Sequence, residues 1–347
     1  MELTVSNRTI IRVVVIALLS AVALKILGSI ETQLIWLVTA LFLALALEPP
    51  VSWLSKYLPK RSRGLAVLIV FLVALAVLFF ISVALVPPFA SQLYRLVTNL
   101  PQGYNSFVRT NPAAARFING HLSASNVSSA LQQFSKQLLS FGGSAVAIAQ
   151  GFFGGIVALV TVTLLTVFMV LEGPRWTSLL WRYMPAPRRN KYQELLKQMH
   201  GTVTGYVGGN LVTSLIAAAS TMIVLLILRA PYAFALGLLV GVVDLIPMIG
   251  ASLAAVLVCL AVLMFKGLTP AIIVIVFYLI YQQVENNVLQ PIVFSKAVEV
   301  SPLVTLVALI LGVSLAGFVG ALVAIPVAAS LQILARYALS QRRRKTA

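Results

Sequence analysis

Charged side chains are scarce in this sequence. Only 10% of its 347 residues are charged, 60% are hydrophobic, and the mean hydropathy is +1.01. Soluble domains carry roughly 25% charged residues, and a soluble fold of this size needs more of them to cover its surface. The scarcity argues against a cytosolic enzyme, a nucleic-acid-binding domain and a disordered chain. It predicts a membrane protein with several spans.

Acidic residues, cysteine and histidine are also rare. The chain has 8 Asp and Glu against 25 Lys and Arg, which gives a formal net charge of +17. The single Cys259 has no partner for an intrachain disulfide, and His121 and His200 are far apart, so no metal site is predicted. Catalytic and Walker motifs are missing from the sequence too. We therefore expect neither an enzyme, nor ATP-driven transport, nor a cofactor.

The basic residues lie at the ends of apolar runs, which is typical of cytoplasmic loops rather than of a nucleic-acid-binding surface. They cluster near both termini and in two stretches, 55–64 and 172–201. These regions are predicted to be cytoplasmic, with both termini on that side, and to contact anionic lipids.

The apolar runs predict an all-α polytopic membrane protein with about six full spans and two interrupted helical hairpins. The predicted spans are Ile10–Ile30, Leu34–Leu54, Leu65–Phe89, Ala145–Leu171, Thr202–Leu228 and Leu268–Gln290. The predicted segments are three transmembrane helices (1–90), an extracytoplasmic amphipathic helical segment (91–140), a fourth transmembrane helix (141–171), a basic cytoplasmic loop (172–201), two units of a transmembrane helix plus a hairpin (202–265 and 266–337), and a basic cytoplasmic tail (338–347).

Two apolar stretches are too long for a single span, which needs about 20 residues. Tyr232–Phe265 is interrupted between Asp244 and Gly250, and Pro302–Tyr337 is interrupted by several glycines. Each stretch follows one ordinary span, so the second half of the chain contains a weak repeat. If both stretches return to their own side as hairpins, the two units are inverted, as in many transporters. Ordinary pairs of spans, giving eight spans in all, are the alternative.

Prolines are expected to end helices outside the hairpins. The third span is predicted to end at Pro87 and Pro88, and the amphipathic segment is predicted to break at Pro101 and Pro112. A plain extracytoplasmic loop is the alternative for the amphipathic segment.

Asp244 is the only aspartate, and it lies in the middle of an apolar stretch. A carboxylate at the centre of a membrane helix costs ~2.5–3.5 kcal/mol on insertion scales, so such residues tend to face a cavity and to be functional. Pro247 removes a backbone donor and Gly250 permits a tight turn, so carbonyls freed by the break are predicted to line a polar pathway. Helix capping or an interfacial ion pair is the alternative.

A second polar group marks the end of the last ordinary span: Gln282, Gln283, Glu285, Asn286, Asn287 and Gln290. In an α-helix the five amides fall within an arc of about 140°, and Glu285 lies about 60° beyond it. Amides both donate and accept hydrogen bonds, which suits a hydroxylated solute or a partly hydrated cation. A helix end in water, or amides that bond helices together, is the alternative.

The fifth span offers one more candidate, Asn210, which either faces the same pathway or bonds across helices. Close helix packing is predicted where glycines recur every four residues, namely at Gly201, Gly205 and Gly209 and at Gly237 and Gly241.

These polar motifs resemble those of the AI-2E family of bacterial transporters. The resemblance rests on Asp-Leu-Ile-Pro-Met-Ile-Gly at 244–250, Gln-Val-Glu-Asn-Asn-Val-Leu-Gln-Pro at 283–291, Ser-Pro at 301–302 and the final segment through 321–326. It implies a location in the bacterial inner membrane and export of autoinducer-2, a small polyhydroxylated quorum-sensing signal. It also implies a homo-oligomer, such as a pentamer.

The resemblance leaves the transported species open, because some members of the family are linked to sodium/proton antiport. The family often has Asn where Asp244 stands, and a titratable acid at that position favours ion coupling. We therefore expect a secondary transporter or facilitator that exports a small polar solute. A sodium/proton antiporter using Asp244 and Glu285 is the first alternative. A membrane scaffold without transport activity is the second.

Overall fold

The computed structural model describes residues 30–112, 124–140, 145–246, 249–293 and 300–346, with the isolated residues 12, 15, 16, 18, 25 and 116. Across these residues the regular structure is helical and contains no strand, as predicted. The predicted first span, Ile10–Ile30, lies almost entirely outside them. The α-helices are α1 (Glu31–Ser55), α2 (Arg63–Phe80), α3 (Val86–Thr110), α4 (Ala124–Ser140), α5 (Ala145–Tyr183), α6 (Ala186–Ile227), α7 (Ala233–Asp244), α8 (Gly250–Lys266), α9 (Leu268–Val284), α10 (Gln290–Val293) and α11 (Pro302–Thr346).

Long apolar helices confirm a multi-pass membrane protein. In the described part of the chain, six helical stretches are long and apolar enough to cross a membrane: Glu31–Ser55, Arg63–Thr110, Val157–Tyr183, Arg189–Ile227, Leu268–Val293 and Pro302–Leu339. Helices α7 and α8 are apolar but shorter. One buried core joins α1, α2 and α5, and a second joins α6 to α9 with part of α3.

The third predicted span continues well beyond its expected end, because α2 and α3 form one helical stretch of 48 residues. The predicted end at Pro87 and Pro88 is wrong. A π-helical turn over Ile81–Leu85 widens the helix just before them, and both prolines lie in the first turn of α3. The predicted break at Pro101 is also wrong, whereas α3 does end before Pro112.

Pro101 is tolerated inside α3 because another helix supplies the hydrogen bond that it lacks. A proline removes the N–H that the carbonyl four residues earlier would accept from. That carbonyl belongs to Val97, and it accepts a hydrogen bond of 2.9 Å from Ser135 Oγ of α4. The amphipathic segment is therefore a pair of packed helices, α3 and α4, rather than a plain loop.

The predicted basic loop, 172–201, is mostly helical. Helix α5 continues to Tyr183, α6 starts at Ala186, and only two residues join them. The predicted helix end at Leu171 is wrong, because α5 continues through Pro174. The carbonyl that Pro174 leaves free is that of Val170, and it accepts from both Arg63 Nη2 at 2.8 Å and Arg63 Nε at 3.2 Å.

Arg63 thereby joins three helices at the basic side of the membrane. Its Nη2 also donates to Glu48 Oε2 of α1 at 2.6 Å. Arg63→Ala is expected to lower the free energy of unfolding by about 2 kcal/mol, because it leaves the Val170 carbonyl and the Glu48 carboxylate without their donor. The measurement is thermal or denaturant unfolding in detergent. Lys56→Ala, which removes an exposed charge nearby, is the control, and an equal loss in both variants would contradict this account.

The first long apolar stretch is a helical hairpin, called here the first hairpin, made of α7 and α8. Its two open ends meet, since the Tyr232 and Phe265 rings lie 5.5 Å apart. At the tip, a Cβ added to Gly250 would overlap the Val243 carbonyl oxygen and lie 2.8 Å from Asp244 Cα. Only glycine fits a turn this close, so α7 and α8 form a tight helical hairpin. The return of this hairpin to its own side of the membrane, rather than a pair of ordinary spans, stays a prediction.

The second long stretch, α11, also reverses direction and is called the second hairpin. Its backbone leaves the helical region at Ala316 and at Gly317, whose φ is +55°. Gly312 and Gly320 would be about 12 Å apart in a straight helix. Instead a Cβ added to Gly312 would lie 2.5 Å from the Gly320 carbonyl oxygen, so the two arms lie side by side.

The two hairpins enter the protein from opposite ends of α6. The open end of the first hairpin follows directly on the C-terminal end of α6, where Ala230 N donates to Leu225 O. The open end of the second hairpin lies at the N-terminal end of α6, where the Tyr192 and Tyr337 rings are 5.7 Å apart. Because α6 is long enough to cross the membrane, the two open ends lie at opposite ends of one candidate span. The inverted arrangement of the two units across the bilayer stays a prediction.

Helix α3 holds the open end of the first hairpin. Gln92 Oε1 accepts from the backbone N–H of Ala235, which is one of the N-terminal amides that α7 leaves unpaired. Asn99 Nδ2 donates to the Tyr232 hydroxyl at 2.8 Å. Both contacts fix the hairpin at its base, so its tip is positioned deep between α6 and α9.

Candidate functional site

Asp244 lies at the tip of the first hairpin and is only 6% exposed. Its Oδ2 accepts a hydrogen bond of 3.0 Å from Ser214 Oγ of α6. Ser214 lies within the apolar part of α6, far from either end of the span. The carboxylate is therefore held among apolar helices by a neutral hydroxyl, and no ion pair with another described residue neutralises it.

Asn210 lies one turn before Ser214 on the same face of α6 and ties that helix to the same tip. Its Nδ2 donates to the Leu245 carbonyl at 2.9 Å. This carbonyl is one that the break after α7 frees, so the predicted polar backbone at the tip is present. The remainder of the tip includes Pro247, which lies outside the described residues.

Glu285 is the second buried carboxylate, with 8% of its surface exposed. It begins a π-helical turn, Glu285–Leu289, that follows α9. Single π-turns inside α-helices occur frequently at functional sites. Asp244 and Glu285 come from different helices, and both are buried close enough for their charges to interact. The structure thus brings together three predicted residues: Asp244, Glu285 and Asn210.

The five amides of the predicted stripe do not share this burial. The π-turn adds a residue to the helical turn, so the α-helical register assumed for 285–290 is wrong. As a result Glu285 is buried, whereas four of the five amides are exposed. The amides bond mainly to one another and to the surface of α8: Asn287 to Gln283, Gln290 to Asn286, and Gln282 to Ser252. They form an exposed polar turn beside the buried carboxylates.

Three further polar side chains near the carboxylates were missed from the sequence. Thr221 and Tyr278 share a buried hydrogen bond of 3.1 Å between α6 and α9. Tyr281 lies one helical turn before Glu285 and interacts electrostatically with both carboxylates. The signal that points to Tyr281 is its spacing, since residues four apart share a helix face.

The glycine predictions have different outcomes. Gly237 and Gly241 do make close helix contacts, since an added Cβ would lie 2.8 Å from Met222 Cβ and from Ala218 Cβ, respectively. At Gly201 an added Cβ would meet nothing within 4 Å, so none of the described helices approaches it closely. The packing role of Gly205 and Gly209 stays a prediction.

The site offers oxygen ligands and no preformed metal centre. Among the described residues, no group of three or more His, Cys, Asp or Glu could hold a metal ion. Two carboxylates with serine and tyrosine hydroxyls suit a proton or a small hard cation, and intramembrane carboxylates typically mark ion or substrate pathways.

Comparison with known proteins gives matches over most of this chain. The chain is 29% identical to the candidate transport protein MT0215 of Mycobacterium tuberculosis over 92% of this chain and 86% of that protein. It is 26% identical to the AI-2 transport protein TqsA of Escherichia coli, over 88% of this chain and 84% of TqsA. The AI-2E family transporter profile matches residues 11–339. A multi-pass helical protein with an intramembrane carboxylate site that matches this profile over nearly its whole length belongs to the AI-2E transporter family.

Proposed function

We propose that this chain is an ion-coupled secondary transporter that exports a small polar solute across the bacterial inner membrane. The buried pair of Asp244 and Glu285 is the observation that carries the proposal. Two carboxylates in a low-dielectric site repel each other, and a proton or cation bound between them relieves that repulsion. Occupancy of the pair is thus linked to the arrangement of the first hairpin, α6 and α9.

Autoinducer-2 is the proposed solute. The family membership and the name of the Escherichia coli relative, AI-2 transport protein TqsA, support it. The exposed amides beside Glu285 also support it, because amides donate to and accept from the hydroxyls of such a solute. We propose that the turn formed by Gln282, Gln283, Asn286, Asn287 and Gln290 is the polar approach to the carboxylates.

The test is flux in proteoliposomes that contain the purified chain. We expect autoinducer-2 to move across the membrane and to move faster under an imposed proton or sodium gradient than without one. Liposomes without protein give the background. A rate of solute flux that is the same with and without the imposed gradients would contradict ion coupling. An absence of solute and ion flux alike would favour the membrane scaffold.

Sodium/proton antiport is the second candidate. The observation that favours it is that both acidic side chains of the site are buried, while four of the five amides suited to a solute are exposed. In this candidate the carboxylate pair exchanges sodium for protons and no organic solute is needed. Sodium entry driven by an outward proton gradient, in the same liposomes without autoinducer-2, distinguishes the two candidates.

Asn286→Leu tests the role proposed for the amides. We expect solute flux to fall about tenfold, as for the loss of one hydrogen-bonding contact in a polar path, while folding in detergent is unchanged. Val288→Leu, an apolar change at an exposed position on the same turn, is the matched control. Normal solute flux in Asn286→Leu would show that the amide turn is not part of the solute path.

The proposed orientation places both termini and the basic stretches in the cytoplasm and the α3–α4 pair outside. With Cys259 replaced by serine, single cysteines at Lys60, Arg189 and Ser125 are exposed to an impermeant thiol reagent on intact cells. We expect labelling at position 125 alone. Labelling at position 60 or 189 without position 125 would reverse the orientation.

A homo-oligomer such as a pentamer, and anionic lipids against the basic side, are also proposed. The resemblance supports the oligomer, and the net charge of +17 supports the lipids.

A further inference from the structure

The Tyr281 hydroxyl is a buried polar group without a hydrogen-bond partner. The side chain is 7% exposed, and its oxygen is fully shielded by the described part of the chain. Its ring packs against Phe277, with centroids 5.9 Å apart. Burying a hydroxyl without a partner costs roughly 1–3 kcal/mol in mutational data, so such a group points to a ligand or a second state.

The position of this hydroxyl ties it to the carboxylate pair. Tyr281 belongs to the buried core that also contains the C-terminal turn of α7, the helix that ends at Asp244. Glu285 follows Tyr281 by one turn, at the start of the π-helical turn after α9. The hydroxyl of the neighbouring Tyr278, by contrast, is already hydrogen-bonded to Thr221. Of the two tyrosines on this face, Tyr281 is the one whose oxygen is available to a bound species.

We propose that the Tyr281 hydroxyl is a direct ligand of a small dehydrated monovalent cation held by Asp244 and Glu285, and that it sets the cation selectivity of the site. The proposal rests on the ion-coupled function above and adds the residue that selects the ion. Ser214 Oγ, bonded to Asp244, completes a set of four oxygen-bearing side chains. Hard cations prefer such oxygen ligands, and a fixed phenol oxygen favours a cation that sheds its water.

The test compares Tyr281→Phe with Tyr104→Phe in proteoliposomes, using sodium as the probe and potassium as the competitor. Both changes remove one hydroxyl that is buried and without a hydrogen-bond partner, but Tyr104 is in α3 and is not among the groups that interact with the carboxylates. We expect Tyr281→Phe to raise the apparent KM for sodium about tenfold and to reduce the preference over potassium, with the maximal rate within about twofold of the wild type. Tyr104→Phe should match the wild type in all three.

Three outcomes would overturn the assignment. If Tyr281→Phe leaves the sodium KM and the cation selectivity unchanged, the hydroxyl is not a ligand of the cation. Equal effects in both variants indicate a general loss of packing. If Tyr281→Phe lowers both the maximal rate and the stability in detergent while the cation selectivity stays constant, the hydroxyl has a structural role instead. If instead the wild type shows no cation dependence and Asp244→Asn is silent, the ion-coupled function itself fails, and the tyrosine assignment fails with it.

Discussion

Asp244→Asn is expected to abolish proton- or sodium-driven flux while downhill movement of a polar solute persists. Asparagine has nearly the same shape and still accepts a hydrogen bond from Ser214, so the hairpin tip keeps its contacts. It carries no negative charge, however, and a carboxylate is what a coupling ion needs. The measurement is driven and downhill flux in the same proteoliposome preparation. Asparagine is also the residue often found here in the family that the chain resembles.

Two further variants make the Asp244 result decisive. Asp244→Leu should stop driven and downhill flux alike, because it removes the polar group at the tip altogether. Glu194→Gln, which neutralises an exposed acid on the N-terminal part of α6, is the control and should leave both fluxes unchanged. If Asp244→Asn retains full coupling, this residue does not bind the coupling ion. If Asp244→Leu is silent as well, Asp244 is not in the pathway.

Gly250→Ala is expected to disable transport by a different route. The added methyl group overlaps the Val243 backbone, which cannot rotate away as a side chain can, so the hairpin tip must open. Overpacking of this kind costs ~1–3 kcal/mol of stability. Displacing catalytic or binding groups by about 1 Å lowers rates by about a hundredfold, and Asp244 is the group displaced here. Flux and thermal stability in detergent are measured together.

Gly201→Ala is the matched control for Gly250→Ala. It makes the same change in a membrane helix, but its methyl group meets nothing within 4 Å. A slight gain in stability is expected, because alanine has the higher helix propensity. Wild-type flux in Gly250→Ala would show that the turn tolerates a side chain and that Gly250 is farther from the Val243 backbone than in this structure.

The length of the apolar stretches and their interruptions favoured two hairpins, with ordinary pairs of spans as the alternative. A stretch of about 34 apolar residues exceeds one span and is short for two, and Asp244 and Gly250 mark where it turns. The second stretch was predicted to be interrupted by several glycines, and its backbone leaves the helical region at Ala316 and Gly317. A functional role for Asp244 was predicted from its place in the middle of an apolar stretch, and its side chain is buried.

The effect of prolines on the helices and the role of Tyr281 were not predicted correctly from the sequence, for physical reasons. A proline breaks a helix only if its freed carbonyl finds no other donor, and the donors for Pro101 and Pro174 come from distant helices. Tyr281 resembles any aromatic residue on an apolar face until the opposing helix and hairpin are placed. The inward turn of Glu285 depends on a π-turn, which has no simple periodic signature.

The shared arrangement at Pro101 and Pro174 constrains the order in which such sequences change. An isolated proline at position 174 leaves the Val170 carbonyl unsatisfied, which costs roughly 1–3 kcal/mol when buried, whereas an arginine at position 63 alone only adds a surface cation. We therefore expect the arginine, which supplies the hydrogen-bond donor, to appear in the sequence before the proline does. Once the proline is fixed, reverting the arginine becomes costly, so the two positions are epistatic although 111 residues of chain separate them. We expect the same dependence between Ser135 and Pro101, a second proline whose freed carbonyl takes its donor from another helix.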